Sequence, residues 1–197
     1  MLAMEPKEGK AVEDEMLVER IKNGDDDAFR ELYHKYVHQV FRYVYLQIGD
    51  YQRTEELTQD IFMKVVKGLM RFRGQSRFQT WLFTIVRNCL TDELRTYKKK
   101  RLTVTVPQED LARLDERVDT VEDQVMKREA REELIRHLQK LSDDYRVVIL
   151  LVDLEGFSLR EAAEILNRSE KATKSLHHRA VRQLRQLVEG GVNVEYS

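Results

Sequence analysis

Residues 158–179 read SLREAAEILNRSEKATKSLHHR, and this stretch limits the fold more than any other in the chain. Ser158 and Glu161 have capping-box spacing, in which a hydroxyl and a carboxylate each take a free backbone N–H at a helix start. A short helix over 159–166 then ends at Asn167, a residue that tolerates the left-handed conformation a tight turn needs. Ser169 caps a longer helix. Two helices so joined make a helix–turn–helix. On a wheel of about 100° per residue, Ala172, Leu176, Ala180, Leu184, Leu187 and Val188 fall on one side of the second helix. Lys171, Lys174, Ser175, His178, Arg182 and Arg185 fall on the other. A solvated amphipathic helix separates its residues in the same way but usually mixes both signs of charge. Here the outward face carries no acid between Glu170 and Glu189, which favours DNA, with early residues near base edges and later arginines near phosphates.

The rest of the chain is helical in pattern, and eight glycines and two prolines in 197 residues leave few breaks. From Asp25 to Ile48, Phe29, Leu32, Tyr33, Tyr36, Val40, Phe41 and Val44 recur at helical spacing. A second helix is expected after Thr54, burying Leu57, Ile61, Phe62, Val65 and Leu69. A third is expected from about Thr80 to Arg101, burying Trp81, Leu82, Ile85, Cys89 and Leu94. Between Thr103 and Asp123 the pattern fails. Spacing resumes at Val125 through Leu134, Leu138 and Leu141, and DDYRVVILLVDLEG reads as a buried helix closed by Gly156. The expectation is an all-α protein of two small helical domains joined by a flexible acidic linker. Its parts are a tail and short lead-in over 1–24, a helical domain over 25–101, a linker over 102–124, a helix–turn–helix domain over 125–189, and a tail over 190–197.

Charge is partitioned along this plan. Residues 71–101 hold nine basic and two acidic side chains, while 102–133 hold five basic and ten acidic; 168–186 hold six basic and one acidic. Local islands of one sign speak to partners. The single cysteine, Cys89, excludes a disulfide framework and reads as a small buried hydrophobe. The opening is acidic and polar and no apolar run approaches the roughly 18 residues of a membrane span, so a cytoplasmic protein without membrane insertion is expected.

Within the first basic island lies RFRGQSRFQTW, residues 71–81, where Arg71, Arg73 and Arg77 alternate with Phe72, Phe78 and Trp81. A duplex reader needs basic side chains but no exposed rings. Single strands use both, because unstacked bases lie on aromatic faces while arginines hold the backbone. The competing reading puts the rings in the core, with Trp81 largely buried and Phe72 and Phe78 open to either role. Glu31, His34 and His38 could imitate part of a helical metal site, but no second Glu-x-x-His exists and no metal or other cofactor is expected. Nor is there a glycine-rich phosphate loop or nucleophile elbow, so a non-enzyme is expected.

Three segments resemble one known family. DAFRELYHKYVHQVFRYVYLQIGD, EELTQDIFMKVVKGLMRFRGQSRFQTWLFTIVRNCLTDELR and LQKLSDDYRVVILLVDLEGFSLREAAEILNRSEKATKSLHHRAVRQLR are similar to the minimal two-domain extracytoplasmic-function (ECF) sigma factors of bacterial RNA polymerase. The resemblance implies a subunit that directs core polymerase to specific promoters. It implies that Glu56, Leu57, Gln59, Asp60, Phe62 and Val65 dock on the clamp helices of the β′ subunit. The loop carrying Arg71, Phe72, Arg73, Gln75, Ser76, Arg77 and Phe78 would hold a base flipped from the minus-ten element. Thr80, Trp81, Arg87, Asn88 and Arg95 would brace the melted strand. Lys171, Lys174, Ser175, His178, Arg179 and Arg182 would read the minus-thirty-five duplex. Further implied partners are the β flap and an anti-sigma factor, and the acidic linker would thread toward the active-site cleft. The recognition helix departs from the family: Thr173 and His177 stand where apolar residues are usual, and Leu176 where an arginine is. Two other readings compete, a stand-alone helix–turn–helix regulator and a helical adaptor or metal-binding bundle.

Overall fold

The computed structural model describes residues 7–98 and 133–192, and among them all regular structure is helical. Four helices come first: α1 (Lys7–Lys22), α2 (Asp26–Ile48), α3 (Tyr51–Leu69) and α4 (Phe78–Lys98). After them come α5, over 133–140, and α6 (Asp143–Ile149). A π-helical turn (Leu150–Leu154) continues α6 without a break, and α7 (Leu159–Leu166) and α8 (Glu170–Val192) complete the order. The expected linker over 102–124 lies outside the described residues. The chain forms two compact units: one holds α1, α2 as far as Val44, α3 from Gln52, and α4, while the other gathers Tyr45–Tyr51 with α5 to α8.

In the first unit α2, α3 and α4 bury Leu32 and Tyr43, then Ile61, Val65 and Leu69, then Leu82, Phe83 and Val86. The Tyr43 and Phe83 rings meet edge to face at 5.2 Å. Each such side chain taken out of water contributes about 1.5–3 kcal/mol. Arg53 on α3 grips Glu93 on α4 with two parallel bonds, Nε to Oε1 at 2.7 Å and Nη2 to Oε2 at 2.8 Å, the planar fork geometry only arginine offers. Asp25 caps α2: its Oδ1 accepts from the N–H groups of Asp27 and Ala28, both at 3.1 Å. The Ala28 bond, with the Arg20 guanidinium beside it, holds the Asp25 carboxyl below the usual range.

Within the expected tail and lead-in over 1–24, Lys7–Lys22 form a 16-residue helix. α1 buries Leu17 and Val18, but it also buries Asp14, whose Oδ2 accepts from the Tyr36 hydroxyl. Lys35 Nζ lies 2.8 Å from Asp14 Oδ1 and 2.5 Å from Glu13 Oε2. Burial and the neighbouring Asp14 charge push the Tyr36 phenol far up, so it stays a donor. A carboxylate on the inward side, with Val12 and Met16 exposed, erases the apolar period from which a helix is recognised. Other expectations shift by a turn or less. α3 starts at Tyr51, with Thr54 buried inside it rather than capping it, and α4 starts at Phe78 rather than Thr80. Ile85, Leu94 and Trp81 are half-buried rather than core.

In the second unit Ile135, Leu138 and Leu141 face inward, while Leu134, expected inward, is exposed. The π turn closes with Glu155 N–H on Leu150 O at 2.9 Å and Phe157 N–H on Leu151 O at 3.0 Å. Gly156 has φ +72°, a conformation that side-chain-bearing residues rarely adopt. Ser158 and Glu161 form the capping box in full, and Asn167 turns left-handed at φ 52°. Ser169 Oγ accepts from Ala172 N–H at 3.2 Å. The helix ends and the turn of the helix–turn–helix are therefore set by local hydrogen bonds. Ser158→Ala is expected to lower unfolding stability by about 1 kcal/mol, read from the midpoint of urea denaturation; an unchanged midpoint would show the box to be dispensable.

Candidate nucleic-acid interface

The loop between α3 and α4 sorts its rings from its cations. Arg71 N–H and Phe72 N–H bond to Gly68 O and Leu69 O at 2.9 and 3.0 Å, so the chain leaves α3 in a tight wrap. Phe72 and Phe78 are 7% and 2% exposed. Phe78 packs against Tyr36 at 5.4 Å, Phe72 at 6.0 Å and Trp81 at 5.7 Å, and Phe72 lies 5.0 Å from Trp81. The expectation that Phe72 and Phe78 could offer open faces to a base is thereby corrected, because each ring is already covered by others. Thr80, expected to brace a strand, is also buried. Left outside are Arg71, Arg73, Gln75 and Arg77, with Ser76 and Trp81 half-buried. Gly74 crosses the loop tip at φ +66°. Along α4, Asn88 and Arg95 are exposed and Arg87 half-buried; Arg95 pairs loosely with Asp92 at 3.5 Å.

On α8, Lys171, Lys174, Ser175, His178, Arg179 and Arg182 are all exposed. Thr173, Leu176 and Ala180 face inward, and Ala172, assigned to the apolar side from sequence, faces solvent instead. The inner face is thus rotated from the expected one at its start, with Thr173 taking the place of Ala172. Leu184 and Leu187 are half-buried, and Val188 is exposed.

A family model described as sigma-70 region 2 matches residues 32–100, and one described as sigma-70, region 4 matches residues 131–184. The chain is 30% identical over 165 residues to the ECF RNA polymerase sigma factor SigM of Bacillus subtilis, covering 84% of this chain and 98% of that one. The chain belongs to the ECF sigma factors. It is also 32% identical over 173 residues to the ECF sigma factor BldN of Streptomyces coelicolor, covering 87% of this chain but only 64% of that longer one. The fold is shared with a solved complex of the sigma factor RpoE and the anti-sigma factor NepR from Bartonella quintana. The TM-score is 0.61 at 22% identity, over 82% of this chain and 96% of that one. The region 2 match does not favour a stand-alone regulator, which has no use for that domain.

In this sigma factor α3 has two apolar stripes. Leu57, Phe62 and Val65, assigned to a partner surface from the resemblance, are buried in the unit's own core; only Glu56, Gln59 and Asp60 of that set are exposed. Set against them, one residue further on, are Met63, Val66 and Met70, 57%, 44% and 64% exposed. Both stripes follow helical spacing, so the sequence marks a broad apolar face without showing which edge is covered. Also missed was Gly68. A Cβ there would come 3.0 Å from Trp81 Cζ2, so the missing side chain lets the indole lie against α3. Trp81 is the single tryptophan, and its fluorescence reads this seat alone. Gly68→Ala should gain helix propensity yet shift the emission to the red as the ring is pushed outward. An unaltered spectrum would show that the ring does not depend on the glycine.

Proposed function

We propose that this sigma factor brings core RNA polymerase to promoters by holding two DNA elements with its two helical units, through binding energy alone and without catalysis. The observation that carries the reading is the exposed face of α8, where Lys171, Lys174, Ser175, His178, Arg179 and Arg182 stand together with no acid between Glu170 and Glu189. A helix so charged suits the major groove, early residues facing base edges and Arg179 and Arg182 the phosphates. In the unit holding α3 and α4, Arg71, Arg73, Gln75, Arg77, Asn88 and Arg95 supply cations and amides for a melted minus-ten strand, and half-buried Trp81, beside the loop, supplies a ring for stacking. Phe72 and Phe78 act on the strand only by holding the loop. Glu56, Gln59 and Asp60, with the stripe Met63, Val66 and Met70, form a mixed polar and apolar surface for the polymerase clamp. On this reading residues 25–101 serve polymerase and the minus-ten element, and 125–189 serve the minus-thirty-five element. On this reading the protein acts in the cytoplasm, where promoters are, and the complex of RpoE with NepR supports an anti-sigma partner here too.

Run-off transcription with core polymerase on genomic fragments should give new start sites when this chain is added, and unchanged start-site choice would end the proposal. On a promoter so found, Arg73→Ala should reduce permanganate reactivity of minus-ten thymines while polymerase binding holds; full reactivity would remove the loop from strand capture. Asp60→Lys and Met63→Glu should each reduce co-purification with core polymerase, by about tenfold for the loss of about 1.4 kcal/mol. Retention of both would exclude this face of α3.

A further inference from the structure

α8 carries two adjacent histidines, and the structure uses them differently. His178 is exposed beside Lys174 and Ser175. His177 is turned about 100° away, its side chain 22% exposed, and its Nε2 lies 2.7 Å from Asp153 Oδ2. Asp153 belongs to the π-helical turn Leu150–Leu154, and π turns are rare and often sit at functional places. That turn buries Leu150 and Leu151 and holds the Asp153 carboxylate against the flank of α8.

Stability does not account for the pair. Asp153 is 48% exposed, and ion pairs so placed are worth about 0–1 kcal/mol. Rotation of α8 about its own axis accounts for it better. The buried side of the helix rests on Thr173, Leu176 and Ala180, with Leu184 and Leu187 half-buried further along, and the His177–Asp153 contact lies at its flank, where it opposes turning. Side chains extend about 5–6 Å from a helix axis, so a turn of about 15° moves their tips by about 1.5 Å. Hydrogen bonds to base edges tolerate only about 2.7–3.2 Å between heavy atoms. The other carboxylates on elements packed against α8 are engaged elsewhere. Asp143 pairs with Arg146 at 2.9 Å, Asp144 with Arg168 at 2.8 Å, and Glu164 with Arg160 at 3.8 Å, while Glu161 belongs to the capping box. Glu155 is half-buried and has interactions of its own. On α8 itself Lys174, His178, Arg179 and Arg182 point to solvent, and Arg179 Nε donates to Ser175 O at 3.3 Å.

We propose that His177 and Asp153 are a positioning pair that fixes the rotation of α8 and so sets how sharply this sigma factor tells one minus-thirty-five base pair from another. The proposal rests on the reading of α8 as the groove helix. Neither residue touches DNA; both act through Lys174, Ser175 and His178.

The test uses the full chain bound to core polymerase. The probes are a duplex selected by that holoenzyme from a randomised pool, its single-base-pair variants, and an unrelated duplex. His177→Leu and Asp153→Ala should each lower discrimination among the variants by about three- to tenfold, part of the 1–3 kcal/mol a mismatch costs, while binding to the unrelated duplex changes less than about twofold. The double variant should be no worse than either single one. Asp153→Asn, whose amide oxygen still accepts from an imidazole N–H, should keep most of the discrimination. Unchanged discrimination in Asp153→Ala overturns the proposal, even if His177→Leu fails to fold, and so does an equal loss on every duplex, which would mark the pair as mere support. Lys174→Ala separates the two claims. If it abolishes base preference while the pair variants do not, only the positioning role fails; if it too leaves preference intact, α8 is not the reader.

Discussion

The ring of Phe78 is the constraint on which the first unit's surface depends. It touches Tyr36 from α2, Phe72 from the end of the loop and Trp81 from the next turn of α4. Ordering a loop residue costs about 1–2 kcal/mol of conformational entropy, and five residues lie between Phe72 and Phe78. The two buried phenylalanines offset that cost from both ends. What lies between them, Arg73, Gly74, Gln75, Ser76 and Arg77, is therefore displayed rather than packed. Alternation of rings and guanidinium groups, puzzling as a string of letters, is resolved by two faces of a short wrap: rings inward, cations outward.

The second unit meets the same requirement by other means. Its cations ride on a helix rather than a loop, so their spacing is set by helix geometry, and what must be controlled is the seat of the helix. Ser158, Glu161, Asn167 and Ser169 set where α7 and α8 begin and end. Thr173, Leu176 and Ala180 set how deeply α8 sits, and the His177–Asp153 contact lies at its side. Each unit thus holds basic groups off a rigid apolar base, and for polyanion binding this preorganisation removes an ordering cost at the moment of association.

Signals that act within three or four residues were legible in the sequence: the capping box, the left-handed Asn167, the glycine after the π turn and the helical pattern of α2. Signals that depend on which neighbour arrives were not. On α3, Phe62, Val65 and Leu69 carry the same spacing as Met63, Val66 and Met70, and only packing against α2 and α4 decides that the first stripe is covered. On α8, Ala172 and Thr173 differ by one position and about 100°, and a threonine is a poor flag for a core. α1 escaped notice because its inward side includes a charged residue that gains meaning only when Tyr36 and Lys35 come to meet it. The π turn has no distinct residue signature, so the arrival of Asp153 beside α8 could not be read at all.

Tyr36 belongs to two structures at once. Its ring is part of the aromatic group that fixes the loop, and its hydroxyl is the donor that α1 receives through Asp14. The amino-terminal helix, which contributes nothing basic to the outer surface of the loop, is therefore tied to it through one shared side chain. A chain beginning after Asp14 would take that acceptor from the Tyr36 phenol, whose ring packs on the Phe78 ring that steadies the arginines. The acidic beginning of this polypeptide is a foundation stone of its basic surface.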